Sequence, residues 1–296
     1  MKQFGFLIFP AAEVKMMGTE VSMRFLIVCL SLIGLTVSCG SFRESVFPGN
    51  PDRMLPKQTN GVLLETPSDG RTAYSFYVPG TNTPVIYFHG NADSIGRSGT
   101  ELAPLFAAGH ELLIVEYPGY GRASLYVPSE AAIYADAEAS IRRASEQFGL
   151  DTHRAVLLGY SLGTGVATEF AHRGYGSRMI LMAPYTSIPA VGERRTVPLV
   201  PYLVLDDRFD TISKSREVRI PVLILHGTKD EAVPFDMGVT LSRTFPSARL
   251  VALTNAGHRL FSEFTGTGSW KVIQDFIAPA TNAVPAAPMT KRGGEG

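Results

Sequence analysis

Residues 159–163 read Gly-Tyr-Ser-Leu-Gly, a G-x-S-x-G pattern, and no other stretch restricts the fold of this chain so tightly. To its left, Ala155-Val156-Leu157-Leu158 is a continuous apolar run too short for a helix of its own. To its right, residues 165–172 are small and apolar on one side, as a helix packed on a sheet would be. Strand, sharp turn and helix with serine at the turn is the context in which this pattern makes a nucleophile elbow. Glycines flank the serine because strand and helix approach too closely for a Cβ on either side. A serine so placed projects its hydroxyl from the end of a sheet. Below it lies a helix N-terminus, whose backbone N–H groups point at whatever the serine attacks. The pentapeptide alone also occurs in ordinary loops, so the reading depends on the rest of the chain.

The rest of the chain supplies a sheet. Apolar runs at 85–88 and 112–115 are continuous rather than alternating, the pattern of strands buried on both faces in a parallel sheet, and further strand-like apolar runs follow at 179–182, 222–225 and 250–253. Two strand-like runs at 62–65 and 72–78 precede them, joined across Ser68-Asp69-Gly70, where Asp-Gly is a hairpin signal. Helices are expected near 99–108 and from a Ser129 cap to about Phe148, where Ala132, Ile133, Ala137 and Ile141 recur at helical spacing. The predicted class is α/β: a mostly parallel, doubly wound sheet of about eight strands with flanking helices.

Two strand ends carry the remaining chemistry. The run at 222–225 leads into His226-Gly227-Thr228-Lys229-Asp230, and the run at 250–253 into Thr254-Asn255-Ala256-Gly257-His258. Ser161, Asp230 and His258 thus follow the chain order of a hydrolase triad, each just past an apolar strand, where ligands bind in open α/β sheets. Ser161 would be the nucleophile, which needs an adjacent base. His258 would take its proton, and Asp230 would fix the imidazole tautomer. The N–H of Leu162 would be one donor to the oxyanion. Asp206, Asp207 and Asp210 are competing acids, but they stand in what reads as a loop or helix start. Glu231 is a nearer rival, read as facing solvent. His89 and His226 read as residues that order their own loops.

These segments together resemble an α/β-hydrolase-fold serine hydrolase from about residue 60 to 280, and within it the Bem46/ABHD13/ABHD17-like group. The residues that carry the resemblance are Tyr87-Phe88-His89-Gly90-Asn91-Ala92, Glu116-Tyr117-Pro118-Gly119-Tyr120-Gly121-Arg122, the Ser161 elbow, His226 to Asp230, and Gly257-His258. Pro128-Ser129-Glu130 also matches, whereas Ala123 and Leu125 depart from the S-x-G pattern that often follows such an arginine. The resemblance implies Asn91 as the second oxyanion donor. It also implies a small cap over the serine from about 185 to 218, where Pro189, Pro198, Pro201, an apolar cluster and Arg194-Arg195 interrupt the alternation. Packing of that segment against the body is the alternative. The expected activity is cleavage of carboxylic esters or thioesters of a small acyl-containing substrate through an acyl-enzyme, without cofactor or metal. Amide cleavage on the same triad, or a binding protein that has kept the fold, are the other readings. Serine rather than aspartate at the elbow argues against an epoxide hydrolase or dehalogenase.

Charge and cysteine content narrow the context. Lys+Arg and Asp+Glu are both 27, so the chain lacks the basic footprint of a nucleic-acid binder. Residues 1–39 read as a signal segment: Arg24, an apolar stretch at 25–37, then Ser38-Cys39-Gly40, with Met17 or Met23 as a candidate true start. Cys39 after Thr36-Val37-Ser38 resembles a bacterial lipobox, although Thr36 stands where leucine is usual. That resemblance implies a lipidated Cys39, membrane tethering, and export to the periplasm or exterior. Cys29 is the other cysteine, so the body after residue 39 has neither a disulfide nor a thiol nucleophile. Residues 40–60 are expected to be a tether, 61–280 the hydrolase domain, and 281–296 a disordered tail.

Overall fold

Each apolar run of the sequence becomes a strand of one sheet. The computed structural model describes residues 46–57, 60–194, 200–264 and 269–278, and the backbone of 15–16 and 19–20. The chain divides into units 1–46 and 47–296. In the first, Lys15–Met16 pairs antiparallel with Thr19–Glu20. Apart from those four residues, the expected signal segment, Cys39 and the tail from 281 lie outside the described residues.

The described residues of the second unit hold eight strands: β1 (Val62–Ser68), β2 (Arg71–Val78), β3 (Asn82–Phe88), β4 (His110–Val115), β5 (Val156–Tyr160), β6 (Arg178–Met182), β7 (Val222–Gly227) and β8 (Ala248–Leu253). Their order in the sheet is β8-β7-β6-β5-β3-β4-β2-β1. β2 pairs antiparallel with β1 and β4, and every other pairing is parallel. The β1–β2 hairpin turns on Asp69 and Gly70, with φ of 43° and 75°, a turn whose twist matches that of the strands it joins. Val85 to Phe88, Val156 to Leu158, Met179 to Met182 and Leu223 to Leu225 are all fully buried, as their continuous hydrophobicity predicts.

Topology then locates the working edge. β3 is followed by β4 on one side, but β5 lies on its other side. The crossovers therefore diverge at β3 and β5 and open a crevice beyond their carboxyl ends, the place where such sheets bind ligands. Phe88 and Tyr160 end those two strands, so His89 and Ser161 emerge there.

The helices follow their local signals with two differences. Ser129 caps α3 (Glu130–Phe148) by accepting from Ala132 N–H, and Gly149 ends it at φ 78°. The single helix expected near 99–108 is instead two, α1 (Ile95–Glu101) and α2 (Ala103–Ala107). Ser94 caps α1 earlier than hydrophobicity suggests, and Pro104 in the first turn of α2 cannot donate back across the junction. The domain also begins before residue 61. Phe47 meets Phe209 edge-on at 6.2 Å, Asn50 donates to Ala92 O at 3.0 Å, and Asp52 accepts from Ser94 Oγ at 3.1 Å. Residues 47–57, read as part of a tether, are thus tied down by hydrogen bonds that composition does not reveal.

α4 (Leu162–His172) follows the elbow. The segment expected as a cap forms α5 (Ile188–Glu193), α6 (Val200–Val204) and α7 (Thr211–Ser215), each under two turns long. Its ends are anchored in the body: Tyr185 and Phe209 are buried against Gly165 of α4. Its middle is less covered, with Leu203 exposed. α8 (Phe235–Thr244), α9 (Leu260–Glu263) and α10 (Ser269–Ile277) complete the described helices.

Two glycines test the packing at the elbow. A Cβ on Gly163 would lie 2.0 Å from the carbonyl oxygen of Phe88, whereas at Gly70 the φ is 75° but nothing lies within 4 Å. Gly163→Ala is expected to lose about 3 kcal/mol and so lower Tm by about 10 °C. Gly70→Ala should lose about 1 kcal/mol, from backbone conformation alone. Thermal denaturation followed by circular dichroism measures both, and equal shifts would overturn the steric account.

Candidate active site

Ser161 stands between β5 and α4 with φ 50° and ψ −116°, a conformation sparsely populated by residues with a side chain. Such backbone costs on the order of 1–3 kcal/mol and persists only where its surroundings over-determine it. Here they do. Ser161 N–H donates to Met182 O at 2.9 Å, and Ser161 O accepts from both Thr164 N–H at 2.9 Å and Thr164 Oγ1 at 2.7 Å. Tyr185 donates its hydroxyl to Leu162 O at 3.0 Å, holding the next peptide.

Residues far apart in sequence meet at the serine. His258 Nε2 lies 3.0 Å from Ser161 Oγ, and His258 Nδ1 lies 2.8 Å from Asp230 Oδ2. The Asp230 side chain is fully buried, while that of His258 is about a quarter exposed, at 24%. Asp230 Oδ1 accepts from Ala232 N–H at 2.9 Å and Val233 N–H at 2.8 Å. Oδ2 also lies 3.4 Å from His226 Nε2. Burial pushes this carboxyl up, but hydrogen bonds from His226, His258 and the Val233 N–H outweigh it and hold it well below the usual carboxylate range. An ionised Asp230 accepts only, so His258 Nδ1 carries a proton toward it. The Nε2 lone pair is then left to accept from the Ser161 hydroxyl. This is the arrangement a general base requires.

The base is fixed from a second direction. Tyr160, the residue before the serine, donates its hydroxyl to His258 O at 2.9 Å, and its ring stacks on the imidazole at 5.6 Å. Sequence reasoning missed this contact, because the variable position of a G-x-S-x-G pattern carries no signal for a partner 98 residues away.

The other expected residues fall around the serine. Leu162 is the first residue of α4, so its N–H lacks an intrahelical acceptor. The loop after β3 runs close by: a Cβ on Gly90 would lie 3.3 Å from Ser161 Cβ and 3.0 Å from Tyr160 Cδ1. Asn91 comes next, exposed, its side-chain Oδ1 accepting from Tyr120 at 2.6 Å. His89 is buried with Nδ1 2.8 Å from Gly90 O and Nε2 3.1 Å from Glu116 Oε1, the ordering role expected of it. His226 lies within β7, one residue before its end, rather than starting the turn, and its Nε2 donates to Val233 O at 3.0 Å. It thereby ties down the turn that carries Asp230.

The rival acids are engaged elsewhere. Asp207 accepts from Glu130 N–H at 2.6 Å, Asp210 caps α7 through Ser213 N–H at 3.2 Å, and Asp206 and Glu231 are exposed. Among the described residues no group of three or more His, Cys, Asp or Glu is placed to hold a metal ion.

Comparison with known proteins agrees with this architecture. Residues 81–205 match the family described as serine aminopeptidase S33, and residues 199–283 match the family of TAP-like proteins. The chain is 31% identical over 183 residues to the α/β hydrolase domain-containing protein aho-3 of Caenorhabditis elegans, covering 61% of this chain and 54% of that protein. It is 31% identical over 164 residues to human α/β hydrolase domain-containing protein 17B, covering 55% of each. The chain thus spans about half the length of the curated relatives it matches. An esterase of Pyrococcus furiosus superposes with TM-score 0.60 at 15% identity, covering 76% of this chain and 95% of that one. An acylaminoacyl peptidase of Pyrococcus horikoshii gives 0.63 at 14% identity, covering 75% of this chain and 41% of that one. At such identities the two structures speak for the fold alone. The chain belongs to the α/β hydrolases, in the Bem46/ABHD17-like group.

Proposed function

We propose that this hydrolase cleaves carboxylic esters or thioesters of a small acyl-containing substrate through an acyl-enzyme on Ser161. One observation carries the reading: His258 bridges Ser161 and the buried Asp230 with hydrogen bonds of 3.0 and 2.8 Å. Attack of Ser161 Oγ on the carbonyl carbon transfers the hydroxyl proton to His258 Nε2, and Asp230 stabilises the imidazolium. Negative charge builds on the former carbonyl oxygen, where the N–H groups of Leu162 and Asn91 act as donors. The tetrahedral species collapses as His258 protonates the leaving oxygen or sulfur. Water, deprotonated by the same histidine, then releases the acid.

An apolar acyl group suits the surroundings. Leu125, Val127 and Leu203 are more than 70% exposed, and all three lie in segments that follow the carboxyl ends of parallel strands, the edge that carries Ser161. Amide cleavage is the second reading, favoured by the match of residues 81–205 to a serine aminopeptidase family. A panel of p-nitrophenyl esters, thioesters and the matching anilides separates the two by their kcat/KM.

The anchor completes the proposal. Lipidation of Cys39 would tether the domain to a membrane, facing the periplasm or exterior. Its support is the apolar stretch at 25–37 ahead of Ser38-Cys39. Metabolic labelling with an alkynyl fatty acid should mark the wild type and spare Cys39→Ala, and equal labelling would remove the anchor.

Ser161→Ala is expected to abolish both ester turnover and labelling by a fluorophosphonate probe, with wild type labelled. Failure of the folded wild type to label would favour a binding protein that has kept the fold.

Asp230→Asn presents an amide N–H or carbonyl where the imidazole needs a carboxylate, and is expected to cut kcat by about 10⁴-fold. Its stability effect should depend on pH. Asp230 holds its proton less readily in the folded chain than in the unfolded one, so unfolding takes up protons as pH falls below about 4. The contribution of the carboxylate is complete at neutral pH and is lost on acidification below that. The gap in Tm between wild type and Asp230→Asn should therefore narrow from pH 7 to pH 3. A constant gap would contradict the depressed carboxyl.

A further inference from the structure

The loop that follows β4 reads Glu116-Tyr117-Pro118-Gly119-Tyr120-Gly121, and none of it belongs to the triad. All three of its polar side chains nonetheless end on the loop His89-Gly90-Asn91. Glu116 Oε1 lies 3.1 Å from His89 Nε2, Tyr117 donates its hydroxyl to His89 O at 3.1 Å, and Tyr120 donates to Asn91 Oδ1 at 2.6 Å. The three rings also pack together: His89 lies 4.0 Å from Tyr117 and 5.4 Å from Tyr120, and the two tyrosines meet at right angles at 5.9 Å. Glu116 is 1% exposed and the other three are fully buried.

Burying this many polar groups is costly unless each finds a partner, and here one partner of each of the three side chains is on the one loop that borders Ser161. The histidine settles the direction of its bonds. Gly90 O can only accept, so His89 Nδ1 carries a proton, and a further proton lies between Nε2 and Glu116 Oε1. Burial pushes the imidazole down, but Glu116 and Asp93 outweigh it and raise it, while burial also raises the Glu116 carboxyl, so the two groups share a proton across the contact. The second oxygen of Glu116 accepts from Ile95 N–H at 3.4 Å. Gly121, at φ 47°, leaves room for that carboxylate, because a Cβ there would sit 1.8 Å from Glu116 Oε2. On the far side, Asn50 holds Ala92 O, and Ala92 itself has φ 55°.

We propose that residues 116–121 form a clamp whose function is to fix the oxyanion loop, with Glu116 and Tyr120 as positioning residues. Tyr120 pins the Asn91 side chain so that the Asn91 backbone N–H keeps its aim at the developing oxyanion, and the Glu116–His89 pair holds the start of the loop. The clamp rests on the serine hydrolase reading above. It explains why a segment with no reacting group is built around two buried tyrosines and a buried carboxylate.

Steady-state kinetics with a p-nitrophenyl ester, together with inhibition by a trifluoromethyl ketone that forms a hemiketal with the serine, tests it in the full chain. Complete loss of an oxyanion donor costs about 10²–10³ in kcat, so a loosened donor in Tyr120→Phe should cost about 10-fold. KM should stay within about twofold and the ketone inhibition constant should rise by the same factor as kcat falls. Glu116→Gln keeps a hydrogen-bond partner for His89 and should retain more kcat than Glu116→Leu. Tyr77→Phe removes a tyrosine hydroxyl bonded to Glu111, away from the loop, and reports the effect of losing such a bond on stability alone. Tyr120→Phe with wild-type kcat and ketone affinity would overturn the clamp. So would losses in Tyr120→Phe that merely track Tm, as in Tyr77→Phe. A folded wild type with no turnover at all would overturn the functional reading, and the clamp with it.

Discussion

The site depends on how closely α4 approaches β3. Gly163, in the first turn of α4, sits so near the end of β3 that a Cβ would lie 2.0 Å from Phe88 O and 2.7 Å from His89 O. Gly159 makes the matching concession on β5, where a Cβ would meet Gly163 O at 2.5 Å. This contact turns the chain sharply enough to force Ser161 to φ 50°. It also brings the loop after β3 within van der Waals reach of the serine. Ser161 and the His89-Gly90-Asn91 loop are thereby positioned by one piece of steric packing.

Electrostatics is arranged around the same point in the opposite manner, by satisfaction rather than crowding. A fully buried carboxylate is expensive, and Asp230 is tolerated because two backbone N–H groups and two histidines surround it. Those donors differ in role. The backbone N–H groups of Ala232 and Val233 belong to the turn itself and the ring of His226 to the strand that leads into it, so they hold the carboxylate in place whatever the state of His258. Only His258 comes from another strand end. The acid is thus prepared locally, and its remaining lone pairs face the imidazole.

Much of this was legible in the sequence because it is written in short-range terms. Continuous apolar runs mark buried strands, Asp69-Gly70 marks a hairpin, Ser129 marks a helix start, and Ser161, Asp230 and His258 each follow a run directly. What was not legible is long-range. The tie between Tyr160 and His258 O spans 98 residues, and the seating of Asn50 on Ala92 spans 42. The break at Leu102 lay within local reach: Ser94 as a cap and Pro104 as a stop were both present, but hydrophobicity between 99 and 108 outweighed them. For residues 47–57, Pro and Asn content pointed to a tether, because composition registers the absence of an apolar core contribution and not the presence of specific hydrogen bonds.

The sheet order gives the two halves of the site separate foundations. β5, β7 and β8 deliver Ser161, Asp230 and His258 from one side of the switch point, while β3 and β4 deliver the His89 loop and the tyrosine-rich loop that contacts it from the other. Buried ionisable groups held by hydrogen bonds are concentrated at Asp230 and at the Glu116–His89 pair, all below 10% exposure. The exposed apolar side chains Leu125, Val127 and Leu203 lie instead on connecting segments of the same edge, outside both groups. Those segments can therefore vary without disturbing the groups that hold Ser161, His258 and the His89-Gly90-Asn91 loop in register.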